Sequence, residues 1–192
     1  SLAATRPTVV CVNVIAANGV LKPLQALLLN WNRCYCKKKG EQKMDKNTLY
    51  AEASSLCTPS KLPASDYVIN PYAGCTHRCT YCYASFMSRF NGHAGEKWGS
   101  YIQPKKYKSY RLPKNLEGKT ILIGSVTAAY NPAEKSLNLI PDIIKALVNC
   151  QAHVEILTKS NLVLRDIELL KTIPDLTVGI SLSNLNDEDN KY

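Results

Sequence analysis

Three thiols lie within eight residues in the run Asn70-Pro71-Tyr72-Ala73-Gly74-Cys75-Thr76-His77-Arg78-Cys79-Thr80-Tyr81-Cys82-Tyr83-Ala84. A gap of three residues and then a gap of two, with no fourth Cys or His at a matching distance downstream, does not suit the closed tetrahedral shell of a structural zinc. Three thiolates on one short loop can hold three irons of a cubane cluster and leave the fourth iron open. A zinc knuckle recruiting His77 is the alternative reading, although His77 lies inside the first gap, where closure with the flanking cysteines is cramped. Disulfide pairing is disfavoured by the same tight spacing.

The elements that must position this loop follow from apolar periodicity. Tyr67 to Tyr72 reads as a first strand with the cysteine loop at its carboxyl end, followed by a short helix from Tyr83 to Phe90. Ile121-Leu122-Ile123, ended by Gly124, suits a buried parallel strand. Leu137, Ile140, Ile144, Leu147 and Val148 recur at helical spacing, with Pro141 as a kink or as the true first turn. Val154 to Thr158 reads as a third strand, Leu164, Ile167 and Leu170 as a third helix, and Leu176, Val178, Ile180 and Leu182 alternate as a fourth strand. Alternating strands and helices imply an α/β fold with a parallel sheet and right-handed crossovers, whose strand-end loops build the site.

Composition sets bounds on the rest. The chain has 192 residues, 45% of them hydrophobic and 20% charged, enough for a sizeable core and too few charges for a disordered chain. Eight cysteines without a secretory signal point to a reducing compartment, and the cytoplasm is the expected location. The early apolar stretch from Val9 to Trp31 is interrupted by Asn13, Asn18, Lys22, Pro23 and Gln25, so no membrane span is expected. The net charge of +9 is uneven: residues 1–62 hold nine Lys/Arg against three Asp/Glu, and residues 63–192 hold fifteen against twelve. Two basic runs, Arg33 to Lys39 and Lys105 to Arg111, could touch nucleic acid, the second by interleaving aromatics with cations as single-strand grooves do. Residues 1–55 read as a basic amino-terminal extension.

The cysteine spacing, with an aromatic before the third thiol, resembles the radical S-adenosylmethionine superfamily. The surrounding run is similar to its branch related to spore photoproduct lyase and labelled DNA repair photolyase-like. The likeness continues through Gly124 to Lys135, Ile156 to Ser160, Leu164-Arg165-Asp166 and Val178 to Ser181, and covers about residues 56 to 186. The fold it implies is a TIM-type barrel of six strand-helix units. Residues 56–192 supply four strands, so a partial barrel truncated after the fourth strand is expected, with an exposed sheet edge.

By this resemblance Cys75, Cys79 and Cys82 hold a 4Fe-4S cluster, and S-adenosyl-L-methionine chelates the open iron. An electron from the cluster then breaks the bond from sulfur to the 5′ carbon, and the 5′-deoxyadenosyl radical removes a hydrogen atom from a substrate. An external one-electron reductant such as flavodoxin or ferredoxin is implied. Tyr81 is expected near the adenine and Tyr83 on the substrate side. Lys159 is expected at the cofactor carboxylate, Thr127 and Ser181 as further polar groups for the cofactor, and Glu134 at a ribose hydroxyl. Two departures stand out. Ala128 replaces an acidic residue usual in that branch, and Ser125 stands where spore photoproduct lyase has a hydrogen-donating cysteine, so thymine-dimer cleavage by that route is not expected. Two other readings stay open: a non-catalytic or partial protein that binds a metal or cluster, and a nucleic-acid-binding module acting through the basic segment.

Overall fold

Short apolar segments, each ended by glycine or a polar residue, fold into four parallel strands that deliver their following loops to one end of a sheet. The computed structural model describes residues 10–15, 50–79 and 82–182, with 10–15 and residue 182 described in backbone only. The strands are β1 (Val10–Ile15), β2 (Ala51–Ala53), β3 (Thr58–Pro59), β4 (Tyr67–Ile69), β5 (Tyr72–Gly74), β6 (Ile102–Tyr107), β7 (Thr120–Ile123), β8 (His153–Thr158) and β9 (Leu176–Leu182). One six-stranded sheet has the order β1-β9-β8-β7-β4-β3, and a three-stranded sheet has the order β2-β6-β5. Within the larger sheet β4, β7, β8 and β9 are mutually parallel neighbours in chain order. Both of its edge pairings, β3 on β4 and β1 on β9, are antiparallel.

Tyr67 to Tyr72 is not one strand. Pro71 has no N–H for a ladder, and the chain changes sheets there: β4 pairs with β7, whereas β5 pairs antiparallel with β6. The expected long helix is also divided, into α1 (Glu134–Leu137) and α2 (Ile140–Leu147). A proline at 141 would collide with the carbonyl of Leu137 in a continuous helix. Asn138 turns left-handed at φ 53° to end α1, and Pro141 falls in the first turn of α2. The third helical segment is a 3-10 helix, Asn161–Asp166, running into α3 (Ile167–Leu170). The hydroxyl of Ser160 accepts the N–H of Leu162 at 3.2 Å and caps its start.

Register decides which face is buried. Ile69, Ile123, Ile156 and Val178 lie side by side across the parallel strands and pack with the helical Ile140, Ile143, Ile144, Leu147 and Leu170 in one apolar core. The other face carries Val68, Leu122, Glu155 and Thr177 in register, three of them only half-buried. The edge expected to lie open at β9 is paired along six residues with β1, which comes from the basic amino-terminal region. Among the described residues no helix is long and apolar enough to cross a membrane.

Cys57 and Cys150 both join this core as small hydrophobes. Burial pushes the Cys57 thiol from an ordinary 9.0 up to about 11, and the nearby Cys150 adds to the rise. Between those values the unfolded chain has released the Cys57 proton and the folded chain has kept it. Stability therefore falls as pH rises from about 9 toward 11. Urea midpoints measured across this range should fall less steeply in Cys57→Ala than in the parent chain, and an unchanged slope would show that Cys57 does not contribute.

Candidate functional site

Cys75 follows the last residue of β5, so strand pairing delivers it directly, and it is only 7% exposed. The preceding Gly74 adopts φ +82°, and a Cβ there would lie 2.5 Å from the Tyr101 ring. Both constraints require glycine. Beyond Cys75 the chain reverses through Arg78, a left-handed residue at φ 54°. The Arg78 guanidinium donates through Nε to the Gly99 carbonyl at 2.8 Å, which ties the cysteine loop to the segment returning into β6. The Cys79 carbonyl accepts the N–H of Cys82 at 3.2 Å, and Cys82 stands at the start of the 3-10 helix Tyr83–Arg89 without a side-chain capping bond. All three thiols are free of disulfides, with Cys79 and Cys82 half-buried.

The loop after β7 grips the cysteine loop at several points. Asn70, at the end of β4, donates to the Ser125 hydroxyl at 2.9 Å and accepts the Val126 N–H at 3.1 Å. Thr127 is buried and its hydroxyl donates to the Gly74 carbonyl at 2.7 Å. Tyr83 donates its hydroxyl to the Ser125 carbonyl, although 63% of its surface remains exposed. Gly124 starts this loop at φ +94°, where a Cβ would lie 3.0 Å from the Thr127 carbonyl. At Cys75, burial is the largest influence and pushes the thiol up. The backbone N–H groups of Ala128 and His77 and the charge of Lys159 act in the opposite direction, while Cys82 reinforces the rise. Position 128 thus contributes through its backbone, which any residue but proline provides.

The remaining expected residues fall as follows. Lys159 follows the end of β8, and Ser181 lies one step beyond the Thr158–Ile180 pair, so the two strand ends are neighbours. Tyr81 lies outside the described residues. Glu134 is fully buried and accepts from Tyr72, Leu139, Ile140 and Arg165. Its carboxylate therefore serves the protein interior. In the second basic run, Tyr107 gives its hydroxyl to the Asn70 carbonyl at 3.1 Å and its ring edge to Tyr110, while Lys108 pairs with Glu52 at 2.9 Å.

Sequence reasoning assigned no role to Asn70, Tyr72 or Arg165. The Asn-Pro pair could have flagged Asn70, because asparagine before proline favours a turn where its amide can bond to backbone. Nothing local flags Tyr72 and Arg165, whose partners are 62 and 31 residues away. Among the described residues no group of three or more His, Cys, Asp or Glu is gathered so as to hold a single metal ion.

Two substitutions test the loop geometry. Gly74→Ala should destabilise the chain by about 3 kcal/mol through positive-φ strain and overlap with Tyr101. Thr127→Val keeps the shape but leaves the Gly74 carbonyl without its donor, and should cost about 1–2 kcal/mol. Both are read from denaturant midpoints, and parent-like values would mean that the loop tolerates a different arrangement.

The chain is similar to an uncharacterized protein of Methanocaldococcus jannaschii, 40% identical over 138 residues that make up 69% of this chain and 50% of that protein. It is also similar to uncharacterized proteins of Mycobacterium tuberculosis and Mycobacterium bovis, each 30% identical over 127 residues, 61% of this chain and 37% of theirs. The chain therefore spans about half the length of the first relative and less of the others. No protein-family model matches it, and no solved structure matches it.

Proposed function

We propose that this chain carries the iron–sulfur portion of an enzyme that reductively cleaves S-adenosylmethionine. The observation that carries the reading is the setting of Cys75: a buried sulfur directly after a strand, on a loop whose Gly74 carbonyl is held by the Thr127 hydroxyl. Cys79 and Cys82 complete a set of three thiols outside any disulfide on one loop. Such a set fits a cubane cluster better than one zinc ion. Thiolates on three different irons stand farther apart than thiolates around one ion.

In this reading Cys75, Cys79 and Cys82 hold the 4Fe-4S cluster. Once bound, it supplies the electron that breaks the bond from sulfur to the 5′ carbon of S-adenosylmethionine, giving a carbon radical able to remove a hydrogen atom from a substrate. The protein's own groups do the rest. Backbone N–H groups on the Cys75 sulfur stabilise the negative charge that reduction adds. Lys159 offers a charged donor to the carboxylate of the cofactor, with Ser181 on the adjoining strand end as a second polar group. Tyr81 is assigned to the adenine. Tyr83 is anchored to Ser125, is exposed at the rim, and faces the substrate side. Thr127 and Glu134 act as positioning residues, the first through Gly74 and the second through Tyr72. The electron comes from an external one-electron carrier such as flavodoxin or ferredoxin, and a reduced, cytoplasmic setting fits thiols kept for iron.

Anaerobic reconstitution tests this directly. The parent chain should take up iron and sulfide and, after dithionite reduction with S-adenosylmethionine, release 5′-deoxyadenosine above the background of the Cys75→Ala, Cys79→Ala, Cys82→Ala triple variant. A cluster that forms without releasing 5′-deoxyadenosine would favour a non-catalytic cluster-binding protein. No cluster at all would return a single zinc ion to consideration.

A further inference from the structure

A carboxylate with none of its surface in water lies at the start of a four-residue helix. Glu134 is 0% exposed and begins α1. One carboxylate oxygen accepts the N–H of Ile140 at 3.0 Å and the Nη2 of Arg165 at 2.8 Å. The other accepts the N–H of Leu139 at 3.1 Å and the hydroxyl of Tyr72. Arg165 reaches the same residue again through Nη1 to its backbone carbonyl at 3.1 Å. It is braced in turn by Asp166, through Nε at 2.8 Å and Nη2 at 2.7 Å. A buried carboxylate needs such compensation, because an unpaired charge in the interior costs far more than its neighbours' packing returns.

One end of this network lies next to the cysteine loop. Tyr72 is fully buried, is the first residue of β5, and stands three residues before Cys75. The intervening Gly74 has its own carbonyl held by Thr127. The other end, Arg165, stands on the segment after β8, one strand-helix unit beyond α1. A helix-capping role explains the bonds to Leu139 and Ile140, but it needs neither Tyr72 nor Arg165.

We infer that Arg165 is a positioning residue for the cysteine loop: it pins the Glu134 carboxylate, Glu134 holds the Tyr72 hydroxyl, and Tyr72 fixes the strand that presents Cys75. The inference rests on the reading of the three cysteines as cluster ligands and adds the residues that keep the first of them in place. The Leu164-Arg165-Asp166 and Asn131-Pro132-Ala133-Glu134 segments, far apart in sequence, are thereby two halves of one clamp.

The chain carries its own controls for the test. Cys75 is buried and needs the loop to open before it reacts, whereas Cys57 and Cys150 are buried in the main core and report global unfolding. The reduced, metal-free 192-residue chain is pulsed with iodoacetamide, digested, and the rate at each cysteine is read by mass spectrometry. Tyr72→Phe should speed alkylation of Cys75 by about tenfold relative to Cys57 and Cys150, from loss of one charge-assisted hydrogen bond to the opening equilibrium, and Arg165→Met, which removes two bonds to Glu134 and two to Asp166, by at least as much. Arg165→Lys should fall between, because an ammonium keeps the charge and loses the fork. Equal acceleration at all three cysteines, or none at Cys75, overturns the inference. If Arg165→Met does not fold, Tyr72→Phe decides alone, since it removes a single oxygen. Iron uptake by the parent chain is scored separately, so failure to bind a cluster sinks the reading of the cysteines while the alkylation rates still judge the clamp.

Discussion

The buried Glu134 carboxylate is the constraint on which most of this architecture depends. It joins three parts of the chain that share no local sequence: the strand leading to Cys75, the break between α1 and α2, and the segment after β8. Burial raises the Tyr72 phenol far above its ordinary range, and the neighbouring carboxylate raises it further, so this hydroxyl stays a donor. Hydrogen bonds donated to Asp166 and Glu134 likewise keep the Arg165 guanidinium charged. The Tyr72 and Arg165 donors therefore keep the protons their partners accept, and losing any one member strands the others in a medium that solvates them poorly.

Around that anchor the site is assembled mostly from backbone. Gly74 brings the chain against Tyr101, Arg78 reverses it, and the loop after β7 supplies an N–H to the Cys75 sulfur and a hydroxyl to the Gly74 carbonyl. Backbone donors fixed by strand geometry do not have to reorganise when charge on a sulfur changes, which suits a ligand to a redox group.

The antiparallel edges give the sheet a different finish from the one expected. Parallel strands alone would leave β4 and β9 with unpaired ladders, and β3 and β1 cover them. The strand on β9 comes from the basic amino-terminal region, where sequence reading placed no strand. Alternation of residue type is a weak signal in a six-residue strand, and pairing with a partner more than 160 positions away is not written in local composition.

Sequence by itself determined the strands β7, β8 and β9, because short apolar runs bounded by glycine or polar residues have few other stable arrangements. It also determined the three thiols on one loop, since covalent spacing alone limits what they can hold. Local chemistry also put Pro141 in the first turn of a helix, one of the two places the sequence allowed it. Only the tertiary structure decided that Thr127 holds Gly74, that Glu134 faces Tyr72 and Arg165, and that the β9 edge is closed. Those outcomes depend on which distant groups meet in the interior. There the cost of an unpaired polar group selects the partner, and no window of neighbouring residues contains that information.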